Sequence, residues 1–105
     1  MKNILLVCNA GMSTSILVRN MQQAAKELGV DAQIVAKSLT EAKKEGMDDV
    51  DVILLGPQVA YELANVKAAA KDIPAAVIDM KEYGAMDGKK VLKSAYRLMK
   101  AAQKK

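Results

Sequence analysis

The chain has 105 residues, 51% hydrophobic and 27% charged, the length and balance of one ordinary soluble domain. It contains no His, which excludes an imidazole base, an imidazole metal ligand and a phosphohistidine on this chain; its one Cys excludes an internal disulfide and a cysteine-rich zinc site. The net charge of +4 is uneven, with 8 Lys/Arg against 10 Asp/Glu in residues 1–80 and 8 against 2 in residues 81–105.

Met1-Lys2-Asn3 leads straight into a strand pattern rather than a signal peptide. Ile4-Leu5-Leu6-Val7 is a short unbroken apolar run, which predicts a central parallel strand covered on both faces. Leu17, Met21, Ala24 and Leu28 then recur at helical spacing, predicting a first helix from about Ser13 to Leu28, with Gly29 just past its end. Residues 31–37 hold Ile34 and Val35 but fewer large apolar side chains, as an edge strand would. Ser38-Leu39-Thr40-Glu41 fits a capping box for a short second helix closed by Gly46.

Val52-Ile53-Leu54-Leu55 reads as another buried strand, stopped by Gly56-Pro57. Val59, Leu63, Val66 and Ala70 predict a third helix. Ala75-Ala76-Val77-Ile78 predicts the fourth strand, and the polar stretch 79–88 reads as a loop. Val91, Leu92, Ala95, Leu98, Met99 and Ala102 share one face of a last helix.

Alternation of this kind predicts an α/β fold: a four-stranded parallel sheet of order 2-1-3-4, with right-handed crossovers and helices on both faces. The expected organisation is a single domain over 1–105. Ligands in such sheets sit beyond the carboxyl ends of the strands, where residues 8–15, 56–58 and 79–88 all fall. The apolar runs are far shorter than the roughly 20 residues that cross a bilayer, so neither membrane insertion nor export is expected and the expected location is cytoplasmic. The basic C-terminal segment has the composition of a surface for nucleic acid or anionic lipid, but it also suits a solvated helix end, and no nucleic-acid partner is expected.

Cys8-Asn9-Ala10-Gly11-Met12-Ser13-Thr14-Ser15 follows the first strand and opens the first helix. Backbone amides there are unpaired by the helix and can converge on an anion, so a phosphate-binding loop is expected over Asn9, Ala10, Gly11, Met12, Ser13, Thr14 and Ser15. Cys8 stands at the mouth of that cradle, which favours the thiolate, a competent nucleophile. Each residue also has a plainer reading: a buried small hydrophobe for Cys8, helix capping for Ser13, Thr14 and Ser15, a tight turn for Gly11, and core or incidental exposure for Met12. The combination solves a chemical problem that capping alone would not require.

Without His a Cys-His hydrolase is excluded. No Lys lies between Asn9 and Val18, so a nucleotide-binding Gly-Lys-Ser/Thr pattern is missing. The remaining chemistry is a phosphocysteine, formed as a hydrolytic intermediate or as a carried group. Tyrosine phosphatases place Arg six residues after the nucleophile; here that position is Thr14, which supplies no charge for rapid turnover. Asp79 and Asp87 fall on the appropriate face to protonate a leaving group, so a low-molecular-weight phosphatase is the alternative. Redox chemistry of the arsenate-reductase type needs a resolving Cys, which the chain lacks. No cofactor and no metal are expected.

The loop from Leu6 to Ser15 closely resembles the enzyme IIB components of the bacterial phosphoenolpyruvate-dependent sugar phosphotransferase system, of the lactose/cellobiose/chitobiose family, with Asn9 where Ser is more familiar. The resemblance continues through Leu55-Gly56-Pro57-Gln58-Val59-Ala60-Tyr61, Val77-Ile78-Asp79, Tyr83-Gly84 and Asp87-Gly88. It implies a fold similar to the low-molecular-weight tyrosine phosphatases. It also implies that Cys8 accepts a phosphoryl group from a phosphohistidine on a IIA partner and passes it to a sugar held by a membrane IIC permease, cellobiose, chitobiose or a related β-disaccharide. Through the IIC partner, the protein would associate with the membrane. Gln58, Asp79 and Tyr83 are expected at the rim of the site. Gln58 otherwise belongs to a strand stop and helix start, and Tyr83 to surface packing.

Overall fold

The computed structural model describes residues 2–8, 11–46, 49–70 and 72–103, with the backbone alone at 11–14 and 103. Strand β1 (Lys2–Cys8) lies between β2 (Ala32–Ser38) and β3 (Val52–Leu55), and β4 (Ala75–Val77) closes the far edge. All pairings are parallel and the order is β2-β1-β3-β4, as the apolar runs predicted. Helices α1 (Gly11–Leu28), α2 (Leu39–Glu45), α3 (Leu63–Ala70), α4 (Met80–Gly84) and α5 (Gly88–Gln103) connect and cover the strands.

The period of two along a strand divides the apolar run of β1 between two layers. Ile4 and Leu6 join Leu17, Met21, Val91, Leu92 and Ala95 in a core under α1 and α5. Leu5 and Val7 join Ala42, Val59, Val66 and Ala70 in a second core under α2 and α3. Each large aliphatic side chain buried in this way contributes roughly 1.5–3 kcal/mol. Strand β2 is less covered: Ile34 is buried, whereas Val35 is 39% exposed, the asymmetry expected of an edge.

The helix boundaries follow local chemistry. Ser38 Oγ accepts from the Glu41 amide at 3.1 Å while the Glu41 carboxylate accepts from the Ser38 amide at 3.0 Å, a complete capping box. Gly29 ends α1 with φ +69°, a conformation that penalises any side chain. Leu28, expected on the buried stripe of α1, is exposed in that last turn, and Ala25 is buried beside Ala24 instead.

Three connections depart from the sequence reading. First, α1 starts at Gly11, about a half turn before the expected Ser13. Second, the third helix is not continuous from Val59: a 3₁₀ segment (Pro57–Glu62) precedes α3, and Val59 breaks it at φ −116°, ψ 22°. Pro57 opens a helical turn readily, but burying Val59 against the second core holds it off helical geometry. Third, stretch 79–88 is not wholly a loop, because Asp79 accepts from the Lys81 and Glu82 amides and starts the one-turn helix α4.

Two contacts join α1 to the turn between α4 and α5. Asn20 Nδ2 donates to the Met86 carbonyl at 2.9 Å, and Met86 has φ 54°. Gly88 opens α5 against the backbone of α1: a Cβ placed there would lie 2.4 Å from the Asn20 carbonyl carbon and 2.5 Å from the Met21 nitrogen. Only a residue with no side chain permits that approach.

Candidate functional site

Cys8 is the last residue of β1, paired in register with Ser38 of β2 and followed three positions later by the first residue of α1. The even-numbered alternation of Ile4 and Leu6 puts its side chain on the α1/α5 side of the sheet, where it is buried, 3% exposed. The opposite neighbour is Gly56, whose amide donates to the Val7 carbonyl at 2.8 Å and prolongs the β1–β3 pairing by one bond.

Gly56 is the point on which the site converges. A Cβ built on it would meet Gln58 Oε1 at 2.9 Å, Cys8 Cβ at 3.5 Å and Tyr83 Cε1 at 3.6 Å. The amide of Gln58, the thiol-bearing carbon and the edge of the Tyr83 ring are therefore all gathered around one bare backbone position at the carboxyl ends of β1 and β3. Gly56 itself has φ −64°, so its lack of a side chain is a matter of space and not of backbone strain.

Tyr83 reaches this place from α4. Its amide donates to the Asp79 carbonyl at 2.9 Å, and its ring is buried in the α1/α5 core, not lying on the surface. Asp79 is exposed and spends one carboxylate oxygen on the Lys81 and Glu82 amides, at 3.1 and 3.2 Å. Its observed work is to hold α4, and through α4 the ring of Tyr83. Asp87 is engaged in the same manner, with Oδ1 accepting from the Lys90 amide at 3.1 Å at the start of α5. Both carboxylates considered as proton donors for hydrolysis thus serve as helix caps.

Asn9 and Ala10 lie outside the described residues, as do the side chains of Gly11, Met12, Ser13 and Thr14. The backbone of 11–14 is the first turn of α1, and Ser15 follows it with an exposed side chain. An 18-residue helix therefore points its amino end at the segment after Cys8. Among the described residues no three His, Cys, Asp or Glu side chains gather as metal ligands. Cys8, Gln58 and Tyr83 are legible in the sequence as candidates, and Gly56 as a strand stop and part of the Gly56-Pro57-Gln58 motif; the missing Cβ opposite a cysteine becomes legible once register is known.

The family described as PTS system, Lactose/Cellobiose specific IIB subunit, matches residues 3–94. The chain belongs to that family. It is 48% identical over 104 residues to the galactose-specific EIIB component of the phosphotransferase system of Lactococcus lactis subsp. cremoris, with 93% of this chain and 96% of the relative covered. It is 47% identical, with the same coverage, to the cellobiose-specific EIIB component of Lactococcus lactis subsp. lactis. The solution structure of the cellobiose-specific phosphotransferase IIB component from Borrelia burgdorferi superposes with a TM-score of 0.78 at 38% identity, covering 96% of this chain and 94% of that one. As a IIB subunit the chain is a phosphotransferase component of sugar transport, and the open parallel sheet just described is the fold of that family.

Proposed function

We propose that this IIB subunit is a phosphocarrier in which Cys8 is the covalent acceptor. In the first step the thiolate sulfur attacks the phosphorus of a phosphohistidine on a IIA partner: an S–P bond forms, the N–P bond breaks, and the imidazole leaves. In the second step a hydroxyl of the sugar held by the membrane IIC partner attacks the same phosphorus. An O–P bond forms, the S–P bond breaks, the thiolate is regenerated and the hydroxyl proton passes to solvent or a base on the partner. The reaction is mainly positioning and electrostatic stabilisation.

The observation that carries this reading is the place of Cys8, at the carboxyl end of a central strand with a long helix starting three residues later. Amides of residues 9–15 would bind the phosphoryl oxygens, with Ser13, Thr14 and Ser15 hydroxyls as further donors. Gln58 would bond the group from the opposite side, while Tyr83, held by Asp79, would bound the site. Phosphatase action is the weaker reading, because Thr14 stands where a phosphatase has Arg, and Asp79 and Asp87 are both engaged as caps. A chain without His also fits a scheme whose imidazole comes from another protein.

For the sugar, a β-linked disaccharide of the cellobiose or chitobiose type is favoured by the loop at Cys8. Overall identity does not choose, since relatives named for galactose and for cellobiose stand at 48% and 47%. The decisive experiment is intact mass after incubation with a complete phosphoryl-donor chain. The parent should gain one phosphoryl group and Cys8→Ser none, with both folded; an undiminished adduct on the Ser variant would overturn the assignment. Membranes carrying the permease, supplied with cellobiose, chitobiose or galactose, then report the sugar.

A further inference from the structure

Helix α5 carries more charge than its role in the core requires. Val91, Leu92, Ala95 and Met99 are buried on one side of it. On the other side Lys89, Lys90, Lys93, Arg97 and Lys100 are all exposed, and at 3.6 residues per turn they fall within about 100° of arc along about 16 Å of helix. No Asp or Glu occurs anywhere from Gly88 to Lys105. An ordinary solvated helix face mixes signs and gains from i,i+4 pairs of opposite charge; this one forgoes them.

Neighbouring acids do not neutralise the stripe. Asp87 approaches Lys90 at 4.0 Å but already caps the helix; Asp79 and Glu82 share a cleft with Arg97 on one flank, and Asp31 and Asp51 lie near Tyr96 on the other. Lys89, Lys93 and Lys100 make no ion pair among the described residues. The stripe begins where α5 starts, beside the middle of α1 and the turn after α4.

We propose that the outer face of α5 is an electrostatic docking surface for an anionic phospholipid bilayer. The inference rests on the phosphocarrier reading in one respect, that the phosphoryl acceptor is held in a membrane protein. Its chemistry is long-range and shallow: the apolar side of α5 is already spent on the core, and no helix among the described residues is long and apolar enough to cross a membrane. Lysines and an arginine aligned in one plane meet lipid phosphates without insertion, and the attraction decays with the Debye length. Docking by this face would raise the concentration of the subunit near its acceptor and limit it to a two-dimensional search. Single-stranded nucleic acid is disfavoured because α5 offers no aromatic side chain except Tyr96, which is half-buried.

The test is co-sedimentation of the full chain with vesicles of phosphatidylcholine alone or with one third phosphatidylglycerol. Binding should require the anionic lipid and fall steeply between low and physiological salt. Lys93→Gln/Arg97→Gln should weaken it about thirtyfold, since each cation near an anionic leaflet contributes about fivefold, whereas Lys93→Arg/Arg97→Lys should retain it. Circular dichroism of both variants establishes that they are folded, and phosphoryl acceptance by Cys8 in vesicle-free solution should equal the parent's. Equal binding to neutral vesicles, or equal binding by Lys93→Gln/Arg97→Gln, overturns the proposal. Failure of Cys8 to accept phosphate in the parent instead overturns the phosphocarrier reading and leaves the vesicle result standing.

Discussion

At the scale of single residues, Gly56 separates two ideas about Gln58. The new methyl group of Gly56→Ala would crowd Gln58 Oε1 at 2.9 Å but meet Cys8 and Tyr83 at ordinary contact distances. Gln58 is exposed and ends in a flexible amide, so it can swing aside at a stability change expected within about 1 kcal/mol. If Gln58 helps to hold the phosphoryl group, Gly56→Ala slows phosphoryl acceptance while its denaturant midpoint barely moves. Unchanged transfer kinetics would leave Gln58 a helix-start residue alone. Thr14 makes a related point about turnover. Without an Arg to offset charge on the equatorial oxygens, the isolated protein should release phosphate from aryl phosphates far more slowly than a phosphatase, and efficient steady-state release in a colorimetric assay would favour the hydrolytic reading.

At the scale of elements, the parts written in local chemistry were legible and the parts made by tertiary contact were not. Both buried strands, the edge strand, the capping box at Ser38 and the glycine after α1 follow from residues within a few positions of one another. Helix α4 reads as loop in the sequence because it is a single turn, started by Asp79 and too short for periodicity to register. The 3₁₀ segment depends on how Val59 packs, and the role of Gly88 depends on α1, a remote part of the chain. Cys8, Gln58 and Tyr83 were legible as candidates, but their common meeting point at Gly56 required the β1–β3 register.

Gly88→Ala should accordingly destabilise by about 3 kcal/mol, because its Cβ would strike backbone atoms that have no rotamer to change. A denaturant titration measures it, and a loss under about 1 kcal/mol would mean that α5 can shift without penalty. The capping box makes a pH-dependent contribution. Hydrogen bonds from the Ser38 backbone and side chain hold the Glu41 carboxyl below its usual value. A depressed folded value stabilises the protein above the unfolded value of about 4.3, and that contribution disappears as pH falls through the lower, folded one. Plotted against pH, the stability of the parent should fall more steeply on the acid side than that of Glu41→Gln; parallel curves would show that the pairing adds nothing.

At the scale of the whole molecule, three large apolar side chains are left in solvent around the carboxyl ends of the strands. Ile16 on α1 is 48% exposed, and Tyr61 on the 3₁₀ segment and Met80 on α4 are each 74% exposed. They sit on the three segments that lead away from β1, β3 and β4, ground that a donor protein would cover if Cys8 is the phosphoryl acceptor. Ile16→Gln and Met80→Gln should each slow phosphoryl acceptance from a IIA donor several-fold, with stability within about 0.5 kcal/mol of the parent; unaltered donor kinetics in both would place the contact elsewhere.

The bond from Asn20 to the Met86 carbonyl acts on time as well as on shape. A left-handed backbone at a residue with a side chain is unfavourable by about 1–2 kcal/mol, so the turn at Met86 is a spring that the Asn20 amide keeps loaded. One end of this latch belongs to α1, the helix that follows Cys8, and the other to the turn that follows Tyr83, so the latch ties α1 to the α4 turn. Amide hydrogens at 85–88 should then exchange at rates near those of mid-α1. Asn20→Ala should release the latch and accelerate exchange in the turn alone, and Met86→Gly in that background should slow it again by removing the strain.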